Sequence, residues 1–176
     1  MTVKVFSLED LDELTFQARV SARRRQHRNI HENFAEACQR TFNAIEPDSY
    51  LRPHRHDASQ GPETMIAVRG LMALVVFDDS GQILQVQPFG AGGDVTDSRI
   101  AVGTETPPGI WHSVVSLETG SVLLEVKAGP YNPDSPRYLA SWAPKEGSPE
   151  AVIYLVNLVA TIKRFPDVAR RVSQLV

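Results

Sequence analysis

The sequence predicts a mainly β fold, an antiparallel barrel or sandwich with helices before and after it. Between residues 49 and 128 the apolar residues fall in short runs, separated by turn signals rich in Gly, Pro and Asp. Many short strands at near-regular spacing are typical of such a fold. The runs are Thr64–Val68, Leu71–Phe77, Ile83–Val86, Trp111–Leu117 and Val122–Val126. The chain has 176 residues, 42% of them hydrophobic, which is enough for one packed domain.

Residues 7 to about 45 are predicted to be helical. Ser7 can cap a first helix, in which Leu8, Leu11 and Leu14 recur at helical spacing. A second helix is predicted from an apolar stripe formed by Ile30, Phe34, Ala37/Cys38, Phe42 and Ile45. The interpretation is an N-terminal helical extension over residues 1–46 that packs on a barrel over residues 47–130.

The C-terminal part, residues 131–176, is predicted to be a Pro-rich loop and a helix. Prolines recur from residue 130 to residue 149, which favours extended chain. Ser148 is the expected N-cap of a helix from Pro149 to about Lys163, because proline suits the first helical position. A further turn or two is expected within residues 167–176.

Charge and cysteine content narrow the function classes. Eighteen Lys and Arg against 21 Asp and Glu give a net charge of −3, which argues against a nucleic-acid partner. The single Cys38 cannot form an internal disulfide. The first ten residues lack the apolar core of a signal peptide, and the apolar stretch 151–160 is too short for a membrane span. We therefore expect a cytoplasmic protein with no membrane partner.

Three histidines and one glutamate form a candidate metal site. His54 and His56 are two residues apart, so an extended strand places both rings on one face. Glu63 begins the next predicted strand, and His112 follows a tight Pro/Gly turn. This set suits one divalent metal ion, and Zn, Fe, Mn and Ni all remain open.

The same residues carry a resemblance to a known family. His54-x-His56 followed by Glu63 and Gly70 resembles the first cupin motif, and Pro107-x-Gly109-x2-His112 resembles the second. The resemblance covers roughly residues 48 to 128. It implies a cupin-type jelly-roll barrel that holds a metal ion inside with three His and one Glu.

A narrower resemblance extends over nearly the whole chain. The sequence is similar to WbuC-type cupin-fold metalloproteins, bacterial proteins associated with gene clusters for cell-surface polysaccharides. The matching segments are Arg25-x2-Arg28-Asn29-x-His31, Pro53-His54-Arg55-His56, Phe77-Asp78, Trp111-His112, Glu125-x-Lys127-x-Gly129-Pro130-Tyr131 and Trp142-Ala143-Pro144.

Two further groups of residues are candidates for chemistry. Glu125 and Lys127 alternate with apolar residues, so they are either a solvated outer face or, as the resemblance favours, acid/base groups inside the barrel. Arg25 and Arg28 are candidates to hold an anion, because guanidinium groups suit phosphate and carboxylate, with a solvated charged segment as the alternative. The family pattern adds His31 as a substrate-binding candidate, and Tyr131 is a candidate to close the pocket.

Three functions are compatible with this reading. The first is a metal-dependent isomerase or epimerase that acts on an activated or phosphorylated sugar in cell-surface polysaccharide biosynthesis. The second is an Fe(II)-dependent dioxygenase. The third is a non-catalytic sugar- or metal-binding module. In each case we expect a small anionic or sugar ligand, and the apolar helices are expected to support a homodimer.

Overall fold

The fold is mainly β, with one α-helix before the strands and one after them. A computed structural model describes residues 3–91, 100–132 and 137–168. This part of the chain contains two α-helices and nine strands. In chain order they are α1 (Leu8–Val20), β1 (Arg25–Asn29), β2 (Cys38–Ile45), β3 (His54–His56), β4 (Glu63–Phe77), β5 (Ile83–Ala91), β6 (Gly103–Thr106), β7 (Trp111–Ser116), β8 (Ser121–Ala128), β9 (Arg137–Leu139) and α2 (Pro149–Ile162). The predicted fold class is confirmed.

The strands form one curled antiparallel sheet. Its hydrogen-bonded order is β1-β2-β8-β4-β7-β3-β9, and both β5 and β6 also pair with β4. Neighbours that are far apart in sequence, such as β2 and β8, are paired along their whole length. The sheet therefore closes around an interior to which β2, β4, β7 and β8 all contribute side chains.

A single long strand, β4, passes through both layers of this sheet. The sequence predicts two strands here with a turn at Arg69-Gly70, and that turn is wrong. The chain instead bends within β4, where its register against β8 shifts between Ala67 and Arg69. Gly70 has φ +75°, and a Cβ atom added there would lie 2.9 Å from the Cα atom of Ser121. Glycine is therefore required for the bend that carries β4 from β8 and β6 to β7 and β5.

The first helix forms as predicted. The Oγ atom of Ser7 accepts a hydrogen bond from the Asp10 backbone at 3.2 Å, and the Asp10 carboxylate accepts one from the Ser7 backbone at 2.8 Å. The buried face of α1 packs on the outer side of β2 and β8. The contacting residues are Leu11, Leu14, Ala18, Phe42, Ala44 and Val122.

The predicted second helix is wrong, because its residues form the loop after β1 and the strand β2. The stripe that suggested it places Phe34, Cys38 and Phe42 four residues apart. Four is an even number, so these residues also share a face of an extended chain. Pairing of β2 with β8 favours the extended chain. Of the described residues in the 1–46 segment, only those of α1 are helical.

The C-terminal helix α2 begins at Pro149 as predicted and ends at Ile162, one residue before the predicted end. It covers the opposite layer from α1. The residues in this contact are Ala73, Val75, Phe77, Val115, Ala151, Leu155, Leu158 and Ile162. The predicted Pro-rich loop contains the short strand β9. Its residues 133–136, and residues 169–176 of the predicted final turn, lie outside the described residues.

Apolar side chains fill one end of the barrel interior, and the other end contains polar side chains. The apolar cluster consists of Ile45, Met65, Ala67, Met72, Leu74, Phe89, Val114 and Leu123. Within the described ranges, no helix is long and apolar enough to cross a membrane.

Candidate metal centre

The four predicted metal ligands meet at the polar end of the barrel. His54, His56, Glu63 and His112 each offer one ligand atom, and these atoms lie within 4.8 Å of one another. The rings of His54 and His56 face the same side of β3, with centroids 5.1 Å apart. Arg55 between them points outwards, where its guanidinium lies 4.5 Å from the centre of the Trp111 ring. The predicted alternation along this strand is therefore confirmed.

Strand pairing and one turn fix the remaining two ligands. In the antiparallel pair β3–β7, His112 lies directly opposite His54. Gly109 in the preceding turn has φ +81°, and its N–H donates to the His56 carbonyl oxygen at 2.9 Å. Glu63 is the first residue of β4 and pairs with Lys127 on β8. Backbone contacts thus place all four side chains before any metal ion binds.

Backbone carbonyl groups determine which ring nitrogen of two histidines faces the site. The Nδ1 atom of His54 lies 3.1 Å from the Arg52 carbonyl oxygen, and that of His112 lies 2.9 Å from the Ile110 carbonyl oxygen. A carbonyl oxygen only accepts hydrogen bonds, so each Nδ1 carries the proton and each Nε2 has a free lone pair. This assignment rests on the hydrogen-bond network. It is the orientation that a metal-binding histidine requires.

The resulting arrangement brings acceptor atoms face to face. The Nε2 lone pair of His112 lies 3.3 Å from one carboxylate oxygen of Glu63, and the Nε2 atom of His56 lies 3.5 Å from the other. Both ring nitrogens of His56 are buried without a hydrogen-bond partner among the described residues. Buried polar atoms are normally satisfied, and a cation between these acceptors would satisfy them. Three imidazole nitrogens and one carboxylate fit a borderline divalent metal ion.

Glu125 and Lys127 point into the same cavity. The Lys127 Nζ atom lies 2.9 Å from Glu125 Oε1 and 3.6 Å from Glu63 Oε1. The amide of Asn43 donates to Glu125 Oε2 at 2.8 Å. Of the two orientations that the alternation of β8 leaves open, the inward one is found.

Burial and neighbouring charges shift the pKa values of Glu125, Glu63 and His54 in different directions. Burial and the neighbouring Glu63 carboxylate raise the pKa of Glu125, which favours its protonated form relative to that of an exposed glutamate. Burial also acts to raise the pKa of Glu63, but its contacts with the His112 and His56 rings and the charge of Lys127 outweigh it and hold this pKa well below its usual range. Burial lowers the pKa of His54 well below its usual range. A carboxylate and a neutral imidazole are the forms that bind metal.

The pKa of Lys127 is raised. Burial opposes its charge, but the carboxylates of Glu125 and Glu63 outweigh that effect. Lys127 is therefore a fixed cation beside two acidic groups, and of the pair Glu125 and Lys127 only Glu125 is suited to exchange a proton.

The cavity has a volume of about 220 Å³. The metal-ligand set lies inside it together with Glu125 and Lys127, and apolar residues such as Val114 and Leu123 also line it. Positive and polar residues line the remaining wall, namely Arg23, Arg25, Gln26, His27 and Arg137.

Of the two predicted anion-binding arginines, only Arg25 reaches the cavity. Its guanidinium binds both carboxylate oxygens of Glu146 at 2.7 Å and donates to the Tyr50 carbonyl oxygen at 3.0 Å. Arg28 binds Asp10 at 2.9 Å and Glu13 at 2.7 Å, both on or beside the outer surface of α1. Residues three apart on a strand point to opposite faces, so the side chains of Arg25 and Arg28 leave β1 on opposite sides.

The other two predicted substrate-binding residues also lie away from the cavity lining. His31 is buried, with Nδ1 at 2.9 Å from the Arg40 carbonyl oxygen. Tyr131 packs its ring on Phe34 with centroids 5.0 Å apart and lines a neighbouring hollow. Lys127 also borders that hollow, so Tyr131 lies on the other side of Lys127 from the ligand set.

Two side chains that contact candidate site residues, those of Asn43 and Arg137, were not predicted. Asn43 lies in the segment expected to be a helix, so its contact with Glu125 depends on the β2–β8 pairing. Arg137 lies among prolines in the segment expected to be a loop, and β9 brings it beside β3. The residues around Arg137 do not belong to either cupin motif. Its place in the site becomes visible only from the pairing of β9 with β3.

Comparisons with solved structures show the fold. An uncharacterised conserved protein with a double-stranded β-helix domain from Klebsiella pneumoniae is 15% identical, with 80% of this chain and 99% of that chain covered at a TM-score of 0.52. Protein SO0799 from Shewanella oneidensis is 11% identical, with 78% and 84% covered at a TM-score of 0.51. A cupin-2 domain containing protein from Shewanella frigidimarina is 18% identical, with 59% and 80% covered at a TM-score of 0.42.

Sequence comparisons add one match. A family model described as a domain of unknown function, DUF6016, matches residues 6–88. No curated protein matches this chain. The double-stranded β-helix and the His/Glu cluster together define a cupin fold with a candidate metal site. The narrower resemblance to WbuC-type proteins stays a prediction.

Proposed function

We propose that this cupin is a metal-dependent isomerase or epimerase that acts on a small anionic sugar. The observation that carries the proposal is the position of Glu125, a buried carboxyl group with a raised pKa in the same cavity as the four candidate ligands. A group that can take and return a proton thus lies beside a site for a Lewis acid. That combination suits proton transfer at a carbon next to a carbonyl group.

The residues of the chain would divide this reaction between them. When bound, a divalent ion would polarise the carbonyl oxygen of the substrate and make the adjacent C–H bond more acidic. Glu125 would take the proton from that carbon and, in an isomerisation, return it to the neighbouring carbon. In an epimerisation, a second donor on the opposite face would supply the proton. Lys127 and Asn43 bind one carboxylate oxygen of Glu125 each and so fix its orientation.

The size and charge of the cavity support a substrate of limited size. A volume of about 220 Å³ is below the range of about 300–1,000 Å³ typical of drug-sized ligands. It favours a phosphorylated or acidic monosaccharide over a nucleotide-activated sugar. Arg23, Arg25 and Arg137 around the cavity favour a negatively charged group. A role in cell-surface polysaccharide biosynthesis rests on the sequence resemblance alone.

Solvent deuterium exchange tests the proposal. Protein loaded with Zn²⁺ or Mn²⁺ is incubated in D₂O with a panel of sugar phosphates and sugar acids, and proton NMR follows loss of the C–H signal next to the carbonyl group. We expect exchange with at least one member of the panel. Glu125→Gln should reduce its rate by about 10²- to 10⁴-fold, the contribution typical of a general base, and should retain the metal.

Glu13→Gln provides the matched control, because Glu13 is exposed on α1 and should leave the rate unchanged. Exchange at the wild-type rate in Glu125→Gln would contradict the role of this residue. Oxygen uptake by the Fe(II)-loaded protein would support the dioxygenase instead. Ligand binding without exchange or oxygen uptake would support a non-catalytic module.

A further inference from the structure

The side chain of Arg137 lies against the face of a metal ligand. Its Nη2 atom is 3.0 Å from Nδ1 and 3.1 Å from Nε2 of His54. The in-plane directions of the two ring nitrogens diverge, so a donor at nearly the same distance from both lies over the ring face. Guanidinium groups stack on aromatic rings in this way. The Nε2 lone pair of His54 is therefore free for a metal ion while the cation lies beside it.

Arg137 differs from the other cations of the cavity in its partners. Arg23 and Arg25 both bind Glu146, and Lys127 binds Glu125. Within the described part of the chain, no carboxylate oxygen lies within 4.0 Å of a nitrogen of Arg137. Arg137 lines the cavity, so a ligand in the cavity can reach it.

Backbone pairing makes the position of Arg137 specific to the site. In the antiparallel pair β3–β9, Arg137 lies opposite His56. The pairing of β9 with β3 fixes the backbone of Arg137, and the contact with the His54 ring positions its guanidinium beside the candidate ligands. An anion bound by Arg137 would therefore lie at a defined distance from the metal centre.

We propose that Arg137 binds the carboxylate of the substrate, and that this substrate is a small 2-hydroxy or 2-keto carboxylate. His54 is one of the residues that would hold a metal ion. The Arg137 Nη2 atom is 3.1 Å from His54 Nε2, so a group bound by Arg137 would lie beside the candidate metal centre. A carboxylate with an oxygen on the adjacent carbon meets both requirements, and its planar oxygens match the guanidinium fork. The inference rests on the proposed function and narrows its anionic sugar to a sugar acid.

Binding of small probes to the Mn²⁺-loaded protein tests the substrate class. Isothermal titration calorimetry compares glycerate, propionate, glycerol and inorganic phosphate. We expect glycerate to bind at least about tenfold more tightly than each of the others, because only glycerate offers both the carboxylate and the adjacent hydroxyl group. Equal or tighter binding of phosphate or propionate would overturn the assignment of the class, and so would the absence of glycerate binding.

A second set of measurements tests the residue. Arg137→Gln should weaken glycerate binding at least about tenfold, since a charge-assisted hydrogen bond is lost, and should leave the metal content unchanged. Arg137→Lys should bind glycerate with intermediate affinity, because it keeps the charge without the fork. Arg28→Gln removes the same charge far from the cavity and should bind glycerate like the wild type. Wild-type affinity in Arg137→Gln, or loss of its metal, would overturn the proposal.

The two proposals fail in different ways. Absence of deuterium exchange would contradict the proposed reaction, while glycerate binding that depends on Arg137 would still support the binding role. Exchange that depends on Glu125, together with glycerate binding that is indifferent to Arg137, would contradict only the inference about Arg137.

Discussion

The two ends of the barrel interior are built from the same strands and differ in chemistry. On each of three strands, an apolar residue of the core lies two positions from a polar residue of the cavity. The pairs are Met65 and Glu63 on β4, Val114 and His112 on β7, and Leu123 and Glu125 on β8. Because side chains two apart on a strand share a face, both residues of each pair point into the barrel. The backbone therefore treats the two ends alike, and the residue types alone make one end an apolar core and the other a polar cavity.

This difference separates stability from function. The buried cluster at the apolar end consists of hydrophobic side chains. The polar end contains four histidines, two glutamates, a lysine and three arginines around one cavity. Burial of such groups costs free energy that the apolar end must offset. We therefore expect substitutions at the two ends to affect different measurements.

The largest effect on stability is expected at the apolar end. Phe89 on β5 is fully buried, and Phe89→Ala should lower the free energy of unfolding by about 3–5 kcal/mol through lost burial and a cavity. Leu84→Ala on the same strand is the control, because Leu84 is 66% exposed and should change stability by no more than about 0.5 kcal/mol. Urea denaturation measures both. Loss of metal from folded Phe89→Ala would contradict the separation of the two ends.

A substitution at the polar end should act on the metal instead. His56→Ala should weaken metal binding by at least about 100-fold, since even residues that only orient ligands contribute about 10–100-fold. The metal-free variant should be no less stable than the wild type, because it removes a buried imidazole whose nitrogens lack partners among the described residues.

His27→Ala is the matched control for this prediction. His27 lines the cavity but is exposed and does not belong to the ligand cluster. Elemental analysis and competition with a chelator should show wild-type metal binding in His27→Ala. Normal metal content in His56→Ala would exclude the assigned ligand set.

The smallest effect on stability is expected for Glu146, which binds two arginines of the cavity wall. Burial acts to raise the pKa of Glu146, but hydrogen bonds from Arg23 and Arg25 outweigh it and lower this pKa. Since the folded-state pKa is below the unfolded value of about 4.3, the ion pair stabilises the fold above that pH. The stabilisation is lost as the pH falls through the folded-state pKa. Glu146 is partly exposed, so the contribution is about 1 kcal/mol or less.

Urea denaturation at neutral and acidic pH measures this contribution. Glu146→Gln should be less stable than the wild type at neutral pH, and the difference should shrink in acid. High salt should also shrink it, because exposed charges are screened. A difference that grows in acid would contradict the sign of the pKa shift.

Local sequence patterns predict the residues of the candidate metal centre well because part of its geometry is local. An extended chain places His54 and His56 on one face, and a tight turn precedes His112. The order of strands then brings them together in the way that the cupin motifs imply. The cupin fold and both flanking helices were predictable for the same reason, since α1 and α2 have their own capping residues or an initial proline.

Residues whose position depends on pairing between distant segments were not predictable. The 30–45 stripe fits a helix and a strand equally, and only β8 decides between them. Contacts between distant segments direct the Arg28 side chain towards Asp10 on α1. Such contacts also bring Asn43 and Arg137 to the cavity. Contacts of this kind span from 18 to 83 residues of sequence, beyond the reach of any local pattern.

The bend at Gly70 has a consequence for how the barrel unfolds. Because β4 carries Glu63 at one end and packs Phe77 under α2 at the other, the two layers share one covalent backbone segment. Fraying of either layer removes hydrogen-bonding partners from the other. The barrel should therefore open in a single cooperative transition, with the amide hydrogens of β4 among the last to exchange with solvent.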